Sequence, residues 1–442
     1  MLVLLAGIAI LLTAIYWRVR PGWRQSGPFL PDALLIGLGL YAGGSTWLLV
    51  FAPAPNQLPV AAMAWTALAS AAAGSALYCL ATSRLYRGRF VESLAGVRAG
   101  MLERAGIVAG LALSASACLL FLYLLVRTDA IAVLLGIGMF AADLDLMQAR
   151  VLIASGTEAW LAPGYFKQLT DILLPVLLAA AILLDRRCLK SVWFWVTVSV
   201  ALLAIVVAGQ RLVLVLFLLT LALAAHYARA AEQQADGRKP GWRVPLIPAI
   251  LLVAGYGLVT ILLGRVGGDA GAGAVIIDVV ANFLDRAFLA APRENAITYP
   301  VWSELGPTAG LSWLQDLARV MPGTRESLSN VLHMAAGGSQ FGDSPLGMPP
   351  DIWLAWGWPG LVLVPAVFGV LIGCLDLVCH ARRSPALVGL QFYLFLVLPV
   401  CYSPYIFLLY GGGVALILVA LVAFVRPSDT PESRRVPGIE HA

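Results

Sequence analysis

The chain has 442 residues, of which 60% are hydrophobic and only 12% charged. A soluble domain of this length carries about twice that charged share, so an ordinary globular protein is excluded. The six cysteines include no CxxC pair, which argues against both a disulfide framework and a zinc site. The net charge of +5 matters less than where the charges fall, and no nucleic-acid partner is expected.

Apolar runs long enough to cross a bilayer recur from end to end. In lipid each backbone amide must find its partner within its own segment, so these runs are expected to be helices. Taken in chain order they cover about 1–17, 30–52, 59–81, 105–126, 169–184, 191–208, 211–228, 244–264, 353–378, 385–402 and 405–425. The fold class expected is therefore an all-α polytopic membrane protein of about 11 transmembrane helices. The first run has no positive region before it and is followed by Arg18, Arg20 and Arg24, which suits a retained anchor rather than a removable signal. Starting the alternation with the N-terminus outside puts 20 of the 29 basic residues in inner segments and 9 in outer ones. Every inner loop is then basic, as the positive-inside rule requires, and the tail 426–442 is cytoplasmic.

Two outer segments exceed a turn. The first, about 127–168, holds an apolar stretch from Ile131 to Ala141, too short to span and suited to a re-entrant or interfacial position. The second, about 265–352, opens Gly-rich. From Val275 to Ala291 its polar residues Asp278, Asn282, Asp285 and Arg286 form one stripe on an otherwise apolar helix, the pattern of a helix lying at a membrane surface. Ser312 with Gln315 has the form of a capping box opening a short helix that stops at Met321-Pro322-Gly323. A third short helix is expected over Arg325 to Ala335. No strand pattern and no fixed-period repeat occurs.

Candidate chemistry lies in these outer segments. Their basic residues are Arg127, Arg150, Lys167, Arg211, Arg265, Arg286, Arg293, Arg319 and Arg325. They oppose the topology rule, and a guanidinium offers a fork of donors matched to phosphate oxygens. The competing reading is local pairing with carboxylates such as Asp285 and Glu294. Arg211, in Gly209-Gln210-Arg211 between two spans, has no carboxylate nearby in sequence and either snorkels to headgroups or lines a cavity. Asp143-Leu144-Asp145 either accepts a proton from a hydroxyl or pairs with Arg150. His333 stands alone in the outer loops and can serve as a general base or as a structural residue. Trp302, Trp313, Trp353, Trp356 and Trp358 are belt aromatics by default, one or two of which could stack on sugars.

Three stretches resemble the O-antigen/oligosaccharide repeat-unit polymerase family (Wzy-type), which is akin to the O-antigen ligases. They are the outer loop with Arg150, Gly164-Tyr165 and Leu173-Leu174-Pro175; Gly209-Gln210-Arg211 before a Leu-rich span, where the family usually shows Gly-Ser-Arg; and Gly342-Asp343-Ser344-Pro345 followed by Asp351 to Trp356 and Gly357-Trp358-Pro359-Gly360. The resemblance covers roughly residues 140–375. Of the family's Arg-to-Gly motifs spaced by ten residues, Arg127 to Gly138 fits the spacing but runs through the apolar stretch. What the resemblance implies is a GT-C-like bundle and a metal-independent glycosyltransferase without cofactor. Such an enzyme joins polyprenyl-pyrophosphate-linked oligosaccharides at the outer face of the bacterial inner membrane. Arg150, Tyr165, Arg211, Arg286, Arg293 and Arg319 would bind pyrophosphate or glycan, and Asp143, Asp145 or His333 would supply the base. Membrane lipid, a chain-length regulator and a flippase of the same pathway are the partners implied. An O-antigen ligase and a transporter of lipid-linked oligosaccharide are the alternatives. The near absence of mid-span charge and of two-half symmetry disfavours the transporter.

Overall fold

The computed structural model describes residues 1–53, 55–86, 90–95, 97, 99–127, 168–207, 211–235, 284–317, 331–332, 334, 346–382 and 384–400, together with residues 277, 280 and 281. Among these residues no strand occurs. The main helices are α1 (Leu2–Val19), α2 (Leu30–Phe51), α3 (Gln57–Thr82), α4 (Met101–Arg127), α5 (Leu174–Leu184), α6 (Val192–Val207), α7 (Arg211–Ala235), α8 (Ala290–Leu305), α9 (Leu311–Leu317), α10 (Met348–Arg382) and α11 (Pro385–Val397). Six of them (α1, α2, α3, α4, α7 and α10) are long and apolar enough to cross a membrane. Shorter apolar helices occupy the expected spans at Gln168–Leu184, Val192–Val206 and Pro385–Val397. The chain is an all-α protein suited to a membrane. The expected spans 244–264 and 405–425 and the stretch Ile131 to Ala141 lie outside the described residues.

α3 is the axis of one half of the bundle, and the reason is its small side chains. Ala64, Ala67, Ala71, Gly74 and Ser75 are all buried on it, and α1, α2 and α10 pack along it. Lipid tails are as apolar as leucine, so helix association rests on close van der Waals packing rather than on hydrophobic expulsion. At Gly74 a β-carbon would run into the backbone of Ala366 on α10. In its most apolar window α3 is 78% buried, whereas α1 is 11% buried, so α1 is a peripheral helix with Val3, Leu4, Ile10 and Leu11 turned outward. The other half gathers α4, α5, α6, α7 and α11 around Leu178, Phe217 and Phe392. α5 follows a π-helical turn at Gln168–Leu173. Pro175 lacks the N–H that would close the α-helical bond to Asp171, and the widened turn sits just ahead of it.

Contacts between helix ends define two poles. Arg20, just after α1, is paired with Asp32 in the first turn of α2. Tyr86, just after α3, bonds Asp376 near the end of α10. Glu103, at the start of α4, bonds Ser384 ahead of α11, and Arg186, just after α5, pairs with Glu232 of α7 at 2.6 Å. One pole therefore collects Arg18, Arg20, Arg84, Arg104, Arg186, Arg187, Lys190, Arg229 and Arg382. The opposite pole is formed by the end of α2, the start of α3, α8, α9 and the start of α10.

Candidate functional site

The pole opposite the basic one is built on α8, which packs against α2, α3 and α10. Its anchor is Trp302, fully buried, whose indole N–H donates to the Asn295 carbonyl at 3.3 Å and to Thr298 Oγ1 at 3.2 Å. Asn295 in turn accepts the Gly347 amide at 3.2 Å and so fixes where the chain enters α10. That helix begins at Met348, five residues ahead of the span expected from sequence, and Gly357 interrupts it with φ 67 and ψ −160. Residues 348–356 form a short helix, buried up to Ala355 except at Trp353, and residues 358–382 form the long one. The positive φ at 357 is the left-handed side of the map that glycine enters without strain.

A helix stopped in this way leaves its last carbonyls unpaired. Here they are met from another segment. The Leu354 carbonyl accepts the Thr308 amide at 2.8 Å, and the Ala355 carbonyl accepts the Gly310 amide at 2.7 Å. These donors project from the turn Gly306–Gly310, in which Gly306, Ala309 and Gly310 all have positive φ. The same turn starts α9, where Thr308 Oγ1 accepts the Ser312 amide at 3.1 Å. The expected capping box on Ser312 is thus corrected. Thr308 is the capping side chain, and Ser312 is a buried residue inside the helix, because docking of the turn on α10 delays the helix until Leu311. α9 then directs Trp313, whose N–H reaches Asp351 Oδ2 at 3.1 Å. Asp351 is only 3% exposed. Edge-to-face contacts link Tyr299 to Trp302, Trp302 to Trp353 and Trp313 to Trp356, with centroids 4.8, 5.5 and 6.0 Å apart.

Of the residues expected to act, Asp143, Asp145, Arg150, Tyr165, Arg319 and His333 lie outside the described residues. Arg211 is the first residue of α7 and Arg286 lies in a π-helical turn, Asp285–Leu289; only their backbones are described. Arg293 on α8 donates to Asp285 at 2.6 Å, a partly exposed pair, which is the local-pairing arrangement for that arginine. The apolar positions Ile277, Val280 and Leu284 are all exposed, as suits the membrane-surface helix expected there. Asn295 and Asp351 were not singled out in sequence as site residues. A carboxylate following the pair Pro349-Pro350 and preceding Trp353 and Trp356 was the available signal for Asp351.

The basic pole holds the other concentration of buried charge: Asp32, Glu103 and Asp376 are all 1% exposed or less. Asp376 accepts the Leu30 amide and the Gln391 side-chain amide on Oδ1, and the Tyr86 hydroxyl on Oδ2, each at 3.0 Å. Leu30 opens α2, which has no side-chain cap of its own. Asp376 therefore caps α2 from α10. Glu103 does the same for α11 from α4, through Ser384 and, at 3.5 Å, the Ala386 amide. A carboxylate at a helix N-terminus is favoured by the exposed amides and the helix dipole. Burial, with the Asp376 charge beside it, pushes the Tyr86 phenol far above its ordinary value, so it remains a donor. These carboxylates are explained by the helix ends they hold. Among the described residues no group of His, Cys, Asp and Glu suits a metal ion.

No family model, no curated protein and no solved structure matches the chain.

Proposed function

We propose that this chain is a glycosyltransferase of a bacterial inner membrane, with eleven spans in a GT-C-like bundle, the N-terminus outside and the C-terminus cytoplasmic. Its reaction is the joining of polyprenyl-pyrophosphate-linked oligosaccharide repeat units on the outer face. The observation that supports this reading most is the sorting of charge between the poles. Nine basic residues share one pole, which the positive-inside rule makes cytoplasmic. The tryptophan- and Asp351-bearing pole is then external, where flipped lipid-linked glycans reside.

In the reaction, an acceptor sugar hydroxyl attacks the anomeric carbon of the donor glycan. The bond from that carbon to the pyrophosphate oxygen breaks, the pyrophosphate keeps the electron pair, and a base takes the hydroxyl proton. Outer arginines, Arg211 first among them, meet the charge developing on the leaving pyrophosphate; Arg150, Arg286 and Arg319 are the further candidates. Asp143, Asp145 and His333 are the candidate bases. The long outer loop, 265–352, would close over the lipid-linked substrates and exclude water, whose attack would hydrolyse the donor. A chain-length regulator and a flippase are the implied partners.

Gel analysis of surface polysaccharide from a deletion strain tests the reading. Single repeat units are the expected product. Long unattached lipid-linked chains would instead identify a ligase, and units stranded inside a flippase. An unchanged ladder would discard all three. Complementation with Arg211→Ala should abolish the ladder, and Arg211→Lys should restore only part of it, because an ammonium lacks the planar fork.

A further inference from the structure

The short helix before Gly357 carries Trp353 and Trp356 three residues apart, so both project from the same side. Trp356 is 44% exposed, yet its ring is not free to swing. A β-carbon added at Gly310 would lie 2.6 Å from the ring, so the benzo edge of the indole packs against the bare backbone of the Gly306–Gly310 turn. The Trp313 ring meets it edge-on and is itself held by Asp351. Trp353 adds the chemical clue. Among the described residues its buried N–H finds no acceptor, whereas the indole N–H groups of Trp302 and Trp313 are both satisfied.

A tryptophan serving only as a belt residue keeps its N–H among headgroups and water and needs no strained turn to fix its ring. A fixed aromatic face beside an unmet buried donor matches a different ligand. Pyranose rings offer apolar C–H faces for stacking and hydroxyl oxygens for hydrogen bonding. We infer that Trp353 and Trp356, with Trp313 behind them, form a saccharide subsite that holds the acceptor sugar, the Trp356 face stacking on the ring and the Trp353 N–H donating to one of its oxygens. Asp351 and Gly310 are positioning residues for the two flanking indoles. This assignment rests on the glycosyltransferase reading and supplies it with an acceptor site.

The test uses the full-length protein in lipid nanodiscs, probed with an array of soluble oligosaccharides that carry no lipid or phosphate. Wild type should retain at least one glycan class. Trp356→Ala should weaken that binding at least tenfold. Trp353→Phe, which keeps the ring and removes only the N–H, should weaken it about fivefold, and Trp356→Phe should keep most of it. Thermal stability in nanodiscs should stay near wild type in all three, which separates lost recognition from lost folding. Equal glycan retention by Trp356→Ala and wild type overturns the subsite. So does an absence of retained glycan while the deletion strain still loses its polymer, and that result leaves the proposed function standing. An unchanged polysaccharide ladder in the deletion strain removes the reading beneath both.

Discussion

At the basic pole each buried carboxylate among the described residues meets donors from another helix: Asp376 reaches α2, Asp32 reaches Arg20 and Tyr16 of the α1 end, and Glu103 reaches the start of α11. At the opposite pole Asp351 also takes a donor from another helix, but most of the work falls to backbone and rings. Backbone carbonyls at a broken helix are satisfied by a turn with three positive φ values, the side chains are largely aromatic, and among the described residues one buried indole N–H is left without an acceptor. The first arrangement holds helix ends in register. The second fixes rings at a surface against a turn whose one strained residue is Ala309, a non-glycine at φ 52, and such strain tends to accompany function.

Mutation should separate the two poles, beginning with the largest effect. Asp376→Ala leaves the Leu30 amide, the Gln391 amide and the Tyr86 hydroxyl without their acceptor, and at roughly 1–3 kcal/mol for each orphaned group the helix ends should part. The expected outcome is a detergent-solubilised protein that aggregates at far lower temperature or fails to accumulate. Asp376→Asn keeps one acceptor oxygen and should lose only about 1–2 kcal/mol. Equal melting of the two variants would show that the carboxyl is not the cap described here.

Gly357→Ala comes next. Its positive φ disfavours any β-carbon by about 1–2 kcal/mol, and the added atom would lie 3.2 Å from Pro307 Cγ. The loss should be confined to the aromatic pole: hydrogen exchange should speed up at the Thr308 and Gly310 amides while the Leu30 amide keeps its protection. Faster exchange at Leu30 as well would mean that the poles are not independent. Trp313→Phe, which removes the bond to Asp351 and keeps an aromatic ring, should cost about 1 kcal/mol and lower glycan retention without shifting exchange at the basic pole.

The smallest effect concerns a thiol. Cys188 sits between α5 and α6 at the basic pole, and burial pushes it up to about 11. The thiolate is the reactive form. Maleimide labelling of Cys188 in inside-out vesicles should therefore keep rising with pH through 9 and 10, rather than levelling near the ordinary cysteine value of about 8.5. Labelling only from the other face of the membrane would invert the proposed orientation.

Much of the architecture is legible in the sequence alone. Apolar run lengths located nine helices at expected spans among the described residues, because a membrane leaves the backbone no alternative to helix. The arginines and lysines after alternate runs anticipated a basic pole. The break in α10 was only partly legible: Gly357-Trp358-Pro359-Gly360 marked a boundary, yet the helix starts at Met348, because Asn295 and the Gly306–Gly310 turn stabilise one more short helix ahead of it. The expected cap at Ser312 shifted to Thr308 for the same reason. Local sequence cannot report a partner supplied by another segment.

Composition and periodicity by themselves determined that this chain is helical, belongs in a membrane and sorts its positive charge by side, since those properties follow from how each segment meets lipid and water. Which buried groups satisfy one another was decided only by the packed bundle. Asp376 and the Leu30 amide are separated by 346 residues, and Glu103 and Ser384 by 281. A hydrogen bond acts over about 3 Å, so its pairing depends on how the helices finally lie and not on any pattern along the chain.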